Sequence, residues 1–285
     1  MPAPKLIAVL PTLLTLGNAV CGFGAITFAA KLGPVAQGGP TGEALSFICA
    51  LLIFGAMVFD MLDGSAARLT RQTSELGAQL DSLCDAISFG VAPAFLMLQF
   101  VTRHLQDVEP GRFLFLYPPR MLWTIAVLYM LCAVLRLARF NVETDEDDTH
   151  EGFSGLPSPA AAGTVVAFPF AMSELMSWKS SSNEVVRLAG EFLIPAVQTI
   201  LPLVTLGVAI LMVSRIRYAH FFNQLLRGPK SRRHVIQLVF ATAVIFWAHE
   251  VAAPIIFCWF AFTPPVLAAW KELGDRYWPR RVETT

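Results

Sequence analysis

Residues Leu6–Ala30 contain no charged side chain. A helix needs about 20 apolar residues to cross a bilayer core of about 30 Å, and this run meets that length. Further apolar stretches lie at Ala44–Phe59, Ala86–Thr102, Met121–Leu135, Ala160–Ser173, Phe192–Ser214, Val235–Ala248 and Val251–Trp270. Inside lipid a helix pairs its own backbone groups, so each stretch reads as a membrane helix. The composition agrees: 55% of residues are hydrophobic and 15% charged, against about 25% charged in soluble domains. The expected fold is all-α, a polytopic integral membrane helix bundle with a six-helix core and two C-terminal apolar helices. Lys5 ahead of the first run gives it a signal-like start, but the run is long for a signal and holds Asn18, so it reads as a retained helix. Pro264-Pro265 in the last run predicts a kink or an early stop.

Within this apolar chain, one stretch concentrates acids. Asp60, Asp63, Asp81 and Asp85 fall in a single segment, with Gly64, Ala67, Arg68 and Gly77 between them. Residues three and four apart share a helix face. Asp60, Asp63 and Ala67 therefore line one face of a helix ending near Thr70, and Gly77, Asp81 and Asp85 one face of the next. A short turn that folds the two helices together makes the four acids converge. Two like charges about 4 Å apart repel by roughly 4 kcal/mol at an effective dielectric of 20, and membrane burial adds about 2.5–3.5 kcal/mol per acid. Divalent cations relieve both costs, and carboxylate oxygens suit Mg²⁺ or Mn²⁺. The small residues admit a close backbone or ligand, and Arg68 offers a planar fork to a phosphate. These parts describe a metal-dependent diphosphate site. A polar interhelical loop that is merely acidic is the plain alternative.

The pattern of Asp60, Asp63-Gly64, Ala67-Arg68, Gly77, Asp81 and Asp85 resembles the signature of the CDP-alcohol phosphotransferase family, with every fixed position present. The resemblance implies Asp60, Asp63 and Asp81 as the main metal ligands, with Asp85 at the edge of the cluster as a further ligand and the catalytic base. It also implies that Asp63, Gly64, Ala67, Arg68 and Gly77 hold the CDP-lipid, and that the protein is a homodimer. LPTLLTLGN near the start, QLDSLCDAISFGVAPA around Asp81 and Asp85, RLARFN, GFSGLPSPAAAG and LMVSRIRY resemble the phosphatidylserine synthase branch of that family. They cover roughly Pro11–Tyr218, so residues 1–218 read as the catalytic membrane domain. Residues 219–285 read as a basic loop, two apolar helices and a tail. Thr12 stands where the branch usually has Asn, and no role is assigned to it.

The branch implies transfer of a phosphatidyl group from CDP-diacylglycerol to L-serine, giving phosphatidylserine and CMP. Serine is a zwitterion, so a pocket for it needs a cation and an acceptor; Arg136, Arg139, Asn141 and Ser158 are the candidates. Anchoring of a helix end at headgroups is the competing reading for the two arginines. Other acceptors stay open: glycerol 3-phosphate, inositol phosphate, or choline, for which Phe140 and Phe153 offer aromatic faces. An ion-coupled transporter with an intramembrane acid site is the alternative from a different class.

With eight spans and an inner N-terminus, most of the 21 Lys and Arg residues fall in inner segments, which predicts a cytoplasmic active site. The expected location is a bacterial inner membrane. The basic stretch after Ser214 reads as a positive-inside signal more than as a headgroup site. Net charge is zero, and no nucleic-acid partner is expected. Thr15 and Asn18, three apart on the first helix, should face the bundle interior, as helix-packing groups or in reach of the nucleotide. The five cysteines lie in apolar stretches without metal or redox spacing. The acidic run Val142–Glu151 and His150 within it read as a solvated loop.

Overall fold

The computed structural model describes residues 5–32, 42–70, 75–107, 117–146, 155–216, 218 and 249–277. They are mostly helical: α1 Lys5–Ala29, α2 Gly42–Thr70, α3 Glu75–Asp85, α4 Ala92–Asp107, α5 Pro119–Glu146, α6 Ser158–Lys179, α7 Glu184–Val213 and α8 His249–Tyr277. A π-helical segment, Ala86–Val91, joins α3 to α4 without a break. Seven of the resulting rods are long and apolar enough to cross a membrane, which makes the chain a polytopic helical membrane protein. The eighth expected span, Val235–Ala248, lies outside the described residues, as do His150, Phe153 and most of the basic stretch after Ser214.

Two boundaries differ from expectation. The third span takes in Leu76–Arg103, so Asp81 and Asp85 stand inside it rather than before it. The apolar positions of α3 carry the span backward past the acids. In α8, Pro254, Pro264 and Pro265 are interior, and the helix continues to Tyr277. Proline removes one backbone donor and crowds the preceding turn, but in a membrane helix neighbouring groups re-pair what is freed.

α6 is the centre of the bundle. Ala161 and Val165 pack into one apolar cluster with α4, α5 and α7. Ala162 and Val166, on its other side, pack into a second cluster with α1, α2 and the π-helical segment. A helix that is apolar all round belongs in a core. The connection leading into α6 is pinned to the end of α7: Gly155 N–H donates to the Ile216 carbonyl at 2.9 Å and Leu156 N–H to the Leu211 carbonyl at 3.1 Å. Gly155 has φ +89, a backbone state that glycine reaches without a Cβ penalty.

α8 attaches to α6 by one side. Phe257 fills the notch at Gly163, Phe257 stacks on Phe54 at 5.7 Å, and Tyr218 Oη donates to the Ala261 carbonyl at 2.9 Å. Burial pushes the Tyr218 phenol up to about 12, so it stays a neutral donor. The opposite side of α8, including Ile255, Trp259 and Trp270, is exposed, as suits a lipid-facing surface.

Candidate active site

α2 and α3 deliver the acids as the helical spacing requires. Asp60 and Asp63 lie three apart on α2, Asp81 and Asp85 four apart on α3. The turn between the helices, 71–74, lies outside the described residues, but its result is visible. One carboxylate oxygen each from Asp60, Asp63 and Asp81 lie within 4.8 Å of one another. Asp63 is 5% exposed. Its Oδ2 and the Oδ1 of Asp81 are buried without a hydrogen-bond partner among the described residues. Burying a carboxylate oxygen unpaired is costly, and three acids this close repel. No described side chain donates to either oxygen, whereas a hard divalent cation with oxygen ligands offsets both costs. The donor set fits such an ion.

Asp85 stands beside this trio and is not one of it. It is within electrostatic range of Asp60, Asp81 and Asp63. It accepts a hydrogen bond at Oδ1 from Asn18 Nδ2 at 2.8 Å. Asn18, on α1, is fully buried. Thr15, one turn earlier, lies against the Asp63 carboxylate and also donates to the Pro11 carbonyl at 3.0 Å. The two polar residues expected to face the bundle interior thus meet the acid cluster itself.

The π-helical segment begins at the residue after Asp85. A π turn widens the helix and displaces backbone carbonyls from their usual partners, and such turns occur often at functional sites. Two neighbours engage the chain here. Tyr129 Oη on α5 donates to the Phe89 carbonyl at 3.0 Å, and Ser88 Oγ donates to the Asn18 carbonyl at 2.9 Å. Gly22 permits that approach, since a Cβ there would run into Ser88. Sequence reasoning missed Tyr129, Ser88 and the specific pairing of Asn18 with Asp85. The usable signal was an asparagine in a span otherwise free of strong polar groups.

Around the rim, no atom of the described residues lies within 4 Å of where a Cβ on Gly64 would be. That leaves room for a ligand at the position expected to hold one. Gly77 is half-buried on α3. Of Ala67 and Arg68 the backbone alone is described, in the last turn of α2. On α5, Arg136 Nη1 donates to Ser158 Oγ at 2.6 Å, its Nε–H is buried without an acceptor among the described residues, and the guanidinium is within electrostatic range of Asp85. Asn141 and Ser82 are joined by two contacts of 3.0 and 3.1 Å, so the Asn141 amide is bound to α3. Arg139 lies one turn beyond Arg136 and is half-buried. The five cysteines are free thiols.

A helical membrane bundle that gathers three carboxylates, two of them with a buried unpaired oxygen, next to a half-buried arginine, defines a polytopic membrane protein with a candidate metal site. The comparison with known proteins makes this specific. The family model for CDP-alcohol phosphatidyltransferase matches residues 8–211, and the chain belongs to that family. It is 34% identical over 164 residues to a CDP-diacylglycerol–serine O-phosphatidyltransferase of Mycobacterium tuberculosis, covering 56% of this chain and 48% of the relative. The match thus spans about half the length of the mycobacterial relatives. Proteins of the same name from Methanocaldococcus jannaschii and Bacillus subtilis are 32% identical over 174 residues and 28% over 228. These matches cover 61% of this chain and 65% of the relative, and 79% and 97%, respectively.

Proposed function

We propose that the protein transfers the phosphatidyl group of CDP-diacylglycerol to the hydroxyl of L-serine, giving phosphatidylserine and CMP. The observation that carries this reading is the pairing of two unsatisfied sets at one place. Among the described residues, Asp63 Oδ2 and Asp81 Oδ1 lack donors, and Arg136 Nε–H, near Asp85, lacks an acceptor. The first set suits a cation-bound diphosphate. The second suits the carboxylate of an amino acid.

The roles divide as follows. Asp60, Asp63 and Asp81 would hold a divalent metal, Mg²⁺ or Mn²⁺, with Asp85 as a further ligand by family resemblance. When bound, the metal neutralises the diphosphate and stabilises the departing CMP. Gly64, with Ala67, Arg68 and Gly77, borders the nucleotide. Asp85 accepts the proton of the serine hydroxyl. The serine oxygen then forms its bond to the lipid-linked phosphorus as the bond from that phosphorus to the CMP oxygen breaks. Arg136 receives the serine carboxylate, with Ser158 orienting the guanidinium and Arg139 and Asn141 at the rim.

Catalysis on this reading belongs to residues 1–218, with 219–285 added beside it. The positive-inside distribution supports a cytoplasmic active site, the expected membrane is a bacterial inner membrane, and family resemblance supports a homodimer. The test is a purified-protein assay with CDP-diacylglycerol, Mg²⁺ or Mn²⁺, and a panel of acceptors: serine, glycerol 3-phosphate, inositol phosphate and choline. CMP release with formation of phosphatidylserine supports the reading. Turnover with another acceptor alone overturns the serine assignment and leaves the phosphotransfer.

A further inference from the structure

Asn18 is an unusual residue for its place. It sits within a span that contains no charge, it is fully buried, and its side chain reaches across 67 positions of sequence to a single carboxylate oxygen. The same residue is fixed at its backbone, where its carbonyl accepts from Ser88 three residues after Asp85. Gly22, one turn further along α1, lets the two helices close to a distance that any side chain at that position would prevent. From the other side, Tyr129 of α5 holds the Phe89 carbonyl. Asp85 is thus the last residue before a widened turn that α1 and α5 both grip, and Asn18 is the one described side chain hydrogen-bonded to it.

We propose that Asn18 is the positioning residue for Asp85: by donating to Oδ1 it selects the carboxylate rotamer that turns the other oxygen toward the acceptor hydroxyl. The inference rests on the reading of Asp85 as the base in phosphatidyl transfer. A buried carboxylate on a helix has several rotamers, and neighbouring acids repel it. A neutral donor holds one oxygen without adding charge to the cluster. An arginine or lysine there would instead pair with the acids and compete with a cation. Asparagine also keeps its own oxygen, Oδ1, which is buried with no donor among the described residues. The cost of that unpaired oxygen is borne at a point where packing alone would favour leucine.

The experiment compares the full-length protein, Asn18→Leu, Asp85→Asn and the double variant in one detergent or nanodisc preparation. Asn18→Leu keeps the branched shape of the side chain and removes the donor. A hydrogen bond to a charged group has a net value that corresponds to about 10- to 100-fold in rate. The expected result is a kcat lower by about that factor in Asn18→Leu, with KM for both substrates within about twofold and thermal stability unchanged or raised. In the Asp85→Asn background the same change should cost less than about twofold, because the group it orients is no longer a base. Full kcat in Asn18→Leu, or losses that multiply in the double variant, overturns the proposal. If KM rises and kcat holds, Asn18 instead contacts a substrate, which also overturns it. Wild-type turnover is measured first with the acceptor panel, and the variants are then read with whichever acceptor works. Failure of serine as substrate is therefore separate from failure of the Asn18 assignment.

Discussion

Arg136 on α5 and Ser158 at the start of α6 are joined by a hydrogen bond of 2.6 Å, guanidinium to hydroxyl. The bond fixes a cation that is otherwise half-buried next to an acid cluster. It also links two stretches that lie 22 positions apart and stood out separately in the sequence.

If Arg136 receives the serine carboxylate, Arg136→Ala should raise the serine KM about 10-fold or more, with KM for CDP-diacylglycerol little changed. Lysine should restore only part, because it lacks the planar fork that serves Ser158 and a carboxylate together. Ser158→Ala should act more weakly, about two- to fivefold, because it loosens the arginine without removing it. Initial-rate kinetics with each substrate varied in turn decide this. Equal effects on both substrates would remove Arg136 from the acceptor pocket.

The trio of Asp60, Asp63 and Asp81 predicts strict dependence on divalent cations. Chelation should abolish turnover, and Mg²⁺ or Mn²⁺ should restore it. Asp81→Asn should lose at least about 100-fold in kcat, since one ligand oxygen is replaced by a weaker, neutral one. Binding also stabilises: an ion present at about 100 times its Kd adds about 2.7 kcal/mol. The wild type should therefore melt higher with the ion than without it, and Asp81→Asn should show little of that rise. Unchanged melting of the wild type across a metal titration would argue that the three carboxylates do not hold a cation.

The acids, the spans and the family were legible because they rest on local information. A run of uncharged residues and a fixed i, i+3, i+4 spacing are properties of one segment. What was not legible depends on which segments meet. Nothing near Asn18 in sequence names Asp85, and nothing near Tyr129 names the Phe89 carbonyl. The π-helical segment Ala86–Val91 has no composition of its own, since its extra residue per turn is held by groups on α1 and α5. The start of the third span was misplaced for a related reason. Charge suggested that the span begins after Asp85, but acids that share a buried site can lie within the membrane helix.

Gly64 offers a test of the nucleotide side. A Cβ there meets no atom of the described residues within 4 Å, and alanine favours a helix by about 1 kcal/mol over glycine. Gly64→Ala should therefore fold at least as stably as the wild type. If the open space belongs to the CDP-lipid, the same change should raise KM for CDP-diacylglycerol about fivefold or more and leave the serine KM alone. A variant that is more stable and kinetically normal would show that the nucleotide lies elsewhere.

Gly155 makes the opposite prediction. Its φ of +89 is outside the range that L side chains adopt easily, and a Cβ would run into the Met212 carbonyl oxygen. The left-handed backbone alone costs about 1–2 kcal/mol, and relieving the clash means pulling the connection off the end of α7. The two backbone bonds that pin it, Gly155 to Ile216 and Leu156 to Leu211, would then stretch. Ser158 follows two residues after Leu156 and would shift away from Arg136. Gly155→Ala should thus lower the melting temperature and raise the serine KM together, whereas Ser158→Ala should raise KM with little change in melting. Thermal melts in parallel with serine titrations separate the two. Normal melting and a normal serine KM in Gly155→Ala would mean that this connection neither braces α7 nor sets the position of Arg136.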